Sequence, residues 1–185
     1  MLAREIRIAD VNIIVALNRG NALFASTSVF IIAGLMAILG ALDKARSLVD
    51  NLSFAVDASR EVWELKVFAL MCVFGYAFFK FIWSLRQFNF ALHLVGAAPE
   101  PHEKGTAEWD GFPDRVARII SLGVYTFNGG VRGYYFGLAM LSWFVHPVLF
   151  IVVSLWVVAV LHRRDFRSRT LKTLLELDGK DKEQA

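Results

Sequence analysis

The fold is decided by residues 18–42, which read NRGNALFASTSVFIIAGLMAILGAL. This segment begins with polar and basic residues and then continues for about 20 residues without a charge. At ~1.5 Å per residue, an α-helix of that length crosses the ~30 Å hydrocarbon layer of a bilayer. The segment therefore predicts a membrane-spanning helix, and with it an integral membrane protein.

The composition of the whole chain agrees with this class. Of its 185 residues, 56% are hydrophobic and 14% are aromatic, which is more apolar than an ordinary soluble domain. The length suits one helical membrane domain over residues 1–170, followed by a cytoplasmic tail at 171–185. The single cysteine, Cys72, excludes a disulfide within the chain and argues against a structural zinc site.

Apolar runs predict an all-α, polytopic membrane bundle of about four transmembrane helices. The predicted spans are residues 22–43, 66–86, 115–145 and 147–163. Residues 1–21 have the spacing of an amphipathic helix, which lies either on the membrane surface or against a partner helix.

The last apolar region allows two interpretations: one span over residues 134–161 kinked at Pro147, or two spans joined at His146-Pro147. A single helix of that length is too long for an upright crossing, and it would put His146 at the bilayer centre. Pro147 also suits the first turn of a new helix and disfavours helical geometry at the residue before it. We therefore expect a long third helix followed by a tight His-Pro hairpin.

The distribution of charge is the one that four spans require. With four spans, the two ends and the loop 97–114 share one side of the membrane, which then collects most of the basic residues. These are Arg4, Arg7, Arg19, Arg86, Lys104, Arg115, Arg118, Arg163, Arg164, Arg167, Arg169 and Lys172. The acidic loop 43–65 lies on the other side, so the positive-inside rule places both ends in the cytoplasm.

A mostly polar line follows one face of the predicted third span. Its members, at steps of four and three, are Ser121, Tyr125, Asn128, Arg132, Tyr135, Ala139, Ser142 and His146. Arg132 lies near mid-span, where insertion scales assign arginine a cost of about 2.5–3.5 kcal/mol. Such a residue normally faces the bundle interior and serves a function. The alternative is that Gly129-Gly130 breaks or shifts the helix and leaves Arg132 at the cytoplasmic interface, with Tyr134 and Tyr135 as an aromatic belt.

Further polar residues mark the start of the first span: Asn18, Asn21, Ser26, Thr27 and Ser28. The three hydroxyls either bond back to carbonyls one turn earlier or form a polar vestibule with the two asparagines. In the second span, Lys80 either snorkels to the interface beside Trp83 or acts as a second functional cation.

No catalytic signature accompanies these residues. The sequence has no nucleophile elbow, no phosphate-binding loop, and no metal-ligand spacing among its 4 histidines. The basic groups follow membrane topology and not the pattern of a nucleic-acid surface. We therefore predict no enzyme, cofactor, metal or nucleic acid. The expected partners are the lipid bilayer and, through Ala33, Ala37 and Ala41, further copies of the chain.

Four motifs resemble one family of membrane proteins. They are Phe24-Ala25-Ser26-Thr27-Ser28, Arg132-Gly133-Tyr134-Tyr135-Phe136, Trp143-Phe144-Val145-His146-Pro147 and Arg163-Arg164-Asp165-Phe166-Arg167-Ser168-Arg169. Together they are similar to domain-of-unknown-function family 599, which groups multi-span integral membrane proteins of bacteria and plants. The resemblance implies a bacterial inner (plasma) membrane protein and no particular activity. It also implies one more apolar segment before the Arg-rich start, which residues 1–21 do not supply.

The predicted function is a small oligomeric channel or transporter for an ion or small solute, with an anion favoured by Arg132 and Lys80. The predicted pathway comprises Asn18, Asn21, Ser26, Thr27, Ser28, Tyr125, Asn128, Arg132, Tyr135 and His146, with Lys80 as a secondary candidate. The alternative is a non-catalytic membrane scaffold or assembly factor, whose polar faces would be filled by hydrogen bonds between helices.

Overall fold

The computed structural model describes residues 8–50, 56, 58–99 and 106–166, and these form an all-helical bundle. Its helices are α1 (Ile8–Gly40), α2 (Leu42–Asp50), α3 (Arg60–Gly96), α4 (Ala107–Leu141) and α5 (Pro147–Phe166). A short 3-10 helix, Ser142–Phe144, joins the last two. The tail predicted at 171–185 lies outside the described residues.

The central helix of the bundle is α3, which packs against both α1 and α4. Along α1, Asn18 contacts Asn89 of α3, and Phe24 contacts Phe81. The residue numbers on α3 fall as those on α1 rise, so the two helices are antiparallel. From Ile8 onwards, the helix predicted at residues 1–21 thus continues directly into the first span, and Ile14 shares a buried cluster with α3 residues. The partner helix of this segment is therefore α3 of the same chain.

Glycines of α4 receive the phenylalanines of α3. A Cβ atom added at Gly130 would lie 2.6 Å from the Phe81 ring, and one at Gly137 would lie 2.8 Å from the Phe74 ring. Gly123 meets Phe88 in the same way, at 2.8 Å. Because these positions lack side chains, the two backbones approach closely along several turns, as small residues permit in membrane helices.

An aromatic cluster links the three long helices. Tyr134 of α4 has its ring 5.2–5.6 Å from those of Phe24, Phe74 and Phe81. Its hydroxyl donates to the Phe24 carbonyl at 3.0 Å and lies 3.0 Å from the hydroxyl of Ser28. Buried aromatic pairs at these separations each add about 0.5–1.5 kcal/mol beyond area burial. Tyr134 therefore connects α4 to α1 across α3.

Three described helices are long and apolar enough to cross a membrane: α1, α3 and Pro147–Arg164 of α5. This confirms a helical membrane bundle, although we expected four spans. The exception is α4, whose 35 residues include charged side chains in the first turns and several glycines. It also begins at Ala107, before the span predicted from residue 115, because Thr106 caps it by accepting from the Trp109 amide at 3.2 Å.

The expected His-Pro hairpin is present between α4 and α5. The first residue of α5 is Pro147, and the His146 Nδ1 atom accepts from the Val148 amide at 3.1 Å. This bond satisfies one of the amides that a helix leaves unpaired at its N-terminus. Beyond the turn, Ala139 of α4 packs against Val157 and Leu161 of α5.

A buried lysine supports the same turn from α3. Lys66 is 3% exposed, and its ammonium donates to the Trp143 carbonyl at 2.9 Å. The rings of Trp63, Trp143 and Phe144 surround it, with centroids at 5.9, 5.5 and 5.9 Å. Such contacts between a cation and aromatic rings are worth about 0.5–2 kcal/mol each. The ammonium therefore joins α3 to the end of α4.

The bundle is longer than a bilayer is thick. The 37 residues of α3 extend about 55 Å, against ~30 Å of hydrocarbon. Near the C-terminal end of α3, a separate cluster joins Ile14, Phe88, Val95, Phe112 and Val116. The helices thus remain packed beyond the length that a membrane would cover.

The substitution Gly130→Ala tests the glycine packing. We expect it to lower the free energy of unfolding by about 1–3 kcal/mol, as overpacking does, because Phe81 is fully buried and its ring cannot move aside. The measurement is thermal or denaturant unfolding in detergent. The matched control is Gly34→Ala, whose Cβ meets nothing within 4 Å. Equal stability of the two variants would contradict the packing argument.

The substitution Lys66→Met tests the buried ammonium. It keeps an unbranched side chain that is one heavy atom shorter, and it leaves the Trp143 carbonyl without its donor. We expect a loss of about 1.5–3 kcal/mol, the usual contribution of a hydrogen bond to a charged group. The control is Lys44→Met, at an exposed lysine of α2. If both variants unfold at the same denaturant concentration, Lys66 does not stabilise the turn.

Candidate functional site

Two cations line one groove between α3 and α4. The groove has a volume of about 480 Å³ and includes both Lys80 and Arg132. Its complete lining is Cys72, Val73, Tyr76, Lys80, Tyr125, Gly129, Arg132, Gly133 and Phe136. We refer to it as the Lys80–Arg132 groove. No carboxylate is among these described lining residues, so the lining brings together two basic side chains and no acidic one.

Glycines of α4 make room for the Lys80 side chain. A Cβ atom added at Gly129 would lie 3.6 Å from the Lys80 Cδ atom, and one at Gly133 would lie 3.6 Å from the Tyr76 ring. The Lys80 ammonium is 5.4 Å from the centroid of the Tyr76 ring. Its stem therefore lies along the surface of α4 while its charge stays beside an aromatic face.

Arg132 remains within a continuous helix. The helix α4 extends unbroken from Ala107 to Leu141, so Gly129-Gly130 does not end it. The alternative in which these glycines break the helix is therefore wrong, and the two glycines serve packing against α3 instead. Arg132 is exposed on α4 and faces the groove together with Tyr125 and Phe136.

A hydrogen bond aligns the groove with the basic end of α5. Arg164 of α5 donates to the Asn128 side chain at 3.1 Å. Asn128 is adjacent to Gly129, which faces the Lys80 stem. The apolar run of α5 ends at Leu161, and the basic pair Arg163-Arg164 follows it, so Lys80 lies near the basic end of that helix. Arg132 lies about 4.5 Å further along α4 from Gly129, towards the His-Pro turn.

A second groove lies between α1 and α4. It has a volume of about 570 Å³, and its lining includes Asn21, Asn128, Phe88 and Phe127. Apart from the two asparagines its lining is apolar or glycine. It shares no lining residue with the Lys80–Arg132 groove.

Asn21 is the most unusual polar residue of this second groove. It is 1% exposed, and neither its amide nitrogen nor its carbonyl oxygen has a hydrogen-bond partner in the described protein. A buried polar group without a partner costs about 1–3 kcal/mol. Its neighbour one turn earlier, Asn18, donates instead to the Asn89 side chain of α3 at 2.7 Å.

The hydroxyls of α1 are used mainly within the bundle. Thr27 donates to the Leu23 carbonyl at 2.8 Å, and Ser28 donates to the Phe24 carbonyl at 2.9 Å. Both bonds follow the pattern of hydroxyls that bond back one turn earlier. Ser26 is exposed. These residues do not line either of the two grooves.

The predicted polar pathway is thus divided by the structure. Tyr125 and Arg132 line one groove, while Asn21 and Asn128 line the other. Tyr135 is 39% exposed and lines neither groove. Further along the predicted line, Ala139 is buried against α5, and His146 caps that helix. The face does not continue as one polar surface because α5 covers part of it.

Sequence reasoning missed two residues that the tertiary structure makes important. The hydroxyl of Tyr134 bonds to α1, and the ammonium of Lys66 is buried. Tyr134 lies next to the predicted polar line but not on it, and Lys66 stands only at the start of the second predicted span. Among the described residues, no group of three His, Cys, Asp or Glu side chains is arranged to hold a metal ion.

The substitution Asn21→Leu tests whether the buried amide is unpaired. Leucine has a similar size and no polar atoms, so we expect the free energy of unfolding to rise by about 1–3 kcal/mol. The measurement is thermal unfolding in detergent, with Asn12→Leu as the control at an exposed asparagine of the same helix. A fall in stability would mean that the amide is bonded in the folded protein.

Comparison with known proteins identifies the family of this chain. No curated protein and no solved structure matches the chain. A family model described as "Protein of unknown function, DUF599" matches residues 1–170. That match covers most of the 185 residues and confirms the resemblance carried by the four sequence motifs. The chain therefore belongs to the DUF599 family of proteins.

Proposed function

We propose that this helical membrane protein is a small channel or transporter for an ion or small solute, and that the solute is an anion. One observation carries the proposal: Lys80 and Arg132 line a single groove whose lining contains no carboxylate. Positive charge within a membrane helix is costly and is normally retained for function. Rings of arginine and lysine are also the usual lining of anion and phosphate pores. We propose no catalytic role for these residues.

A second copy of the chain would supply the other wall of the pathway. In one chain the groove is bounded by α3 and α4 alone. On α1 and at the residue that follows it, Ala33, Ala37 and Ala41 recur every four residues and are exposed in the single chain. Small residues at this spacing support close packing of helices from neighbouring copies. We therefore include a homo-oligomer in the proposal.

The proposed topology has four crossings in a bacterial inner membrane, with both ends in the cytoplasm. Helix α4 would form the third crossing, because it packs along α3 and joins α5 through a tight turn. The basic pair Arg163-Arg164 at the end of α5 supports a cytoplasmic position for that end.

A scaffold or assembly factor is the second candidate function. It is favoured by the aromatic cluster of Phe24, Phe81, Phe127 and Tyr134, which fills the centre between α1, α3 and α4. Polar groups at this cluster, such as the hydroxyls of Ser28 and Tyr134, bond to each other. A protein of this kind would bind partners through its outer surfaces and would transport nothing.

Anion flux into liposomes that contain the purified protein decides between these candidates. For the channel or transporter we expect flux above that of protein-free vesicles, and a reduction of about tenfold in Arg132→Ala and in Lys80→Ala. A tenfold change corresponds to about 1.4 kcal/mol at the rate-limiting barrier. The matched control is Arg86→Ala, since Arg86 is an exposed cation of α3 that contacts Trp83 and Phe90 outside the groove.

Two results would count against the transport proposal. If wild-type protein gives no flux above background, transport is wrong and the scaffold becomes the better candidate. If flux exists but is equal in Arg132→Ala, Lys80→Ala and Arg86→Ala, the pathway does not use this groove. A sedimentation measurement of the detergent-solubilised protein tests the oligomer separately.

A further inference from the structure

We infer that the Lys80–Arg132 groove binds an anionic phospholipid, with the phosphate at the two cations and one acyl chain along Cys72, Val73 and Phe136. The inference uses the same groove as the proposed transport function but requires no flux, so either can fail without the other. Basic pockets between membrane helices are a recurrent form of lipid headgroup site.

The groove is polar at one end and apolar at the other. On α3 its lining runs from Lys80 through Tyr76 to Cys72, a distance of about 12 Å along the helix axis. On α4 it runs from Tyr125 through Arg132 to Phe136. The ends correspond because Lys80 faces Gly129 and Tyr76 faces Gly133. The lining of the groove therefore changes from polar to apolar along its length, as an amphiphilic ligand does.

The polar end lies at the depth that a headgroup occupies. The Lys80 stem contacts α4 beside Asn128, which accepts a hydrogen bond from Arg164. The apolar run of α5 ends at Leu161, just before Arg163 and Arg164, and basic residues at a helix end are typical of the membrane interface, so we take this level as one boundary of the hydrocarbon layer. From there the groove continues towards the membrane centre. A phosphate at Lys80 would thus lie at the interface, with its acyl chain directed inwards.

The polar end also has the chemistry that a phosphodiester requires. An arginine can donate two parallel hydrogen bonds to phosphate, and a lysine adds a point charge on a flexible stem. The phenol of Tyr76 lies beside the Lys80 ammonium, and Tyr125 extends the polar lining along α4; both hydroxyls are hydrogen-bond donors.

The apolar end distinguishes a lipid from a free anion. Inorganic phosphate would gain nothing from Val73 or Phe136, whereas an acyl chain gains by covering them. The lining therefore favours an amphiphilic anion over a soluble one.

Native mass spectrometry of the full chain, released from detergent with an equimolar mixture of phosphatidylglycerol and phosphatidylcholine, tests the inference. We expect retained phosphatidylglycerol to exceed phosphatidylcholine by about tenfold for the wild type, a ratio that corresponds to about 1.4 kcal/mol. The preference should disappear in the double variant Lys80→Gln with Arg132→Gln. It should persist in Arg86→Gln, which removes an exposed cation outside the groove.

A second variant tests the contact with the acyl chain without changing the charge of the groove. Val73→Trp fills the apolar end, and we expect it to weaken retention of phosphatidylglycerol while leaving both cations in place. Competition with inorganic phosphate at millimolar concentration separates the two sources of the anion, since a lipid held along its chain resists displacement.

Three outcomes would overturn the inference. The first is equal retention of the two lipids by the wild type, and the second is an unchanged preference in the double variant. The third is that inorganic phosphate displaces phosphatidylglycerol from the wild type as readily as it does from Val73→Trp. Because the wild-type comparison needs no substitution, misfolding of a variant cannot hide the result. Flux without lipid preference would overturn this inference alone, and lipid preference without flux would overturn only the transport proposal.

Discussion

The insertion of α3 phenylalanines into spaces left by α4 glycines is the contact on which the rest of the bundle depends. Phe74, Phe81 and Phe88 meet Gly137, Gly130 and Gly123 in antiparallel order. In lipid, no hydrophobic effect drives apolar helices together, so close packing has to supply the association energy. This contact sets the depth of α4 against α3. It thereby sets the level of every polar group that α4 carries.

The same packing creates the candidate site. Gly129 and Gly133 lie beside the contact line, and without side chains they leave space for the Lys80 stem and the Tyr76 ring. Two cations consequently share one groove, although each belongs to a different helix. The hydrogen bond from Arg164 to Asn128 then places the polar end of that groove level with the end of the apolar part of α5. The glycines of α4 thus allow the two helices to pack closely and also leave space for the Lys80 side chain in the groove.

Much of the fold could be predicted because bilayer physics acts on local sequence. The uncharged run after Asn21 requires a helix, since an unpaired backbone in hydrocarbon is too costly. Pro147 required a helix start, and the hairpin at His146 follows. The start of α4 was less predictable, because Thr106 caps the helix before Pro113. Packing of α1 against α3 also explains why residues before the first span remain helical.

By itself, the sequence determined the class of protein, its family and the presence of costly charges in apolar helices. Only the tertiary structure decided which charges meet. Helical spacing puts Tyr125, Asn128 and Arg132 near one face, but a helix in a bundle has neighbours on several sides. The rotation of α4 that fits Gly130 to Phe81 sends Asn128 towards α1 and α5, and Arg132 towards Lys80. That rotation depends on contacts about 50 residues apart in the chain, which a local pattern cannot specify.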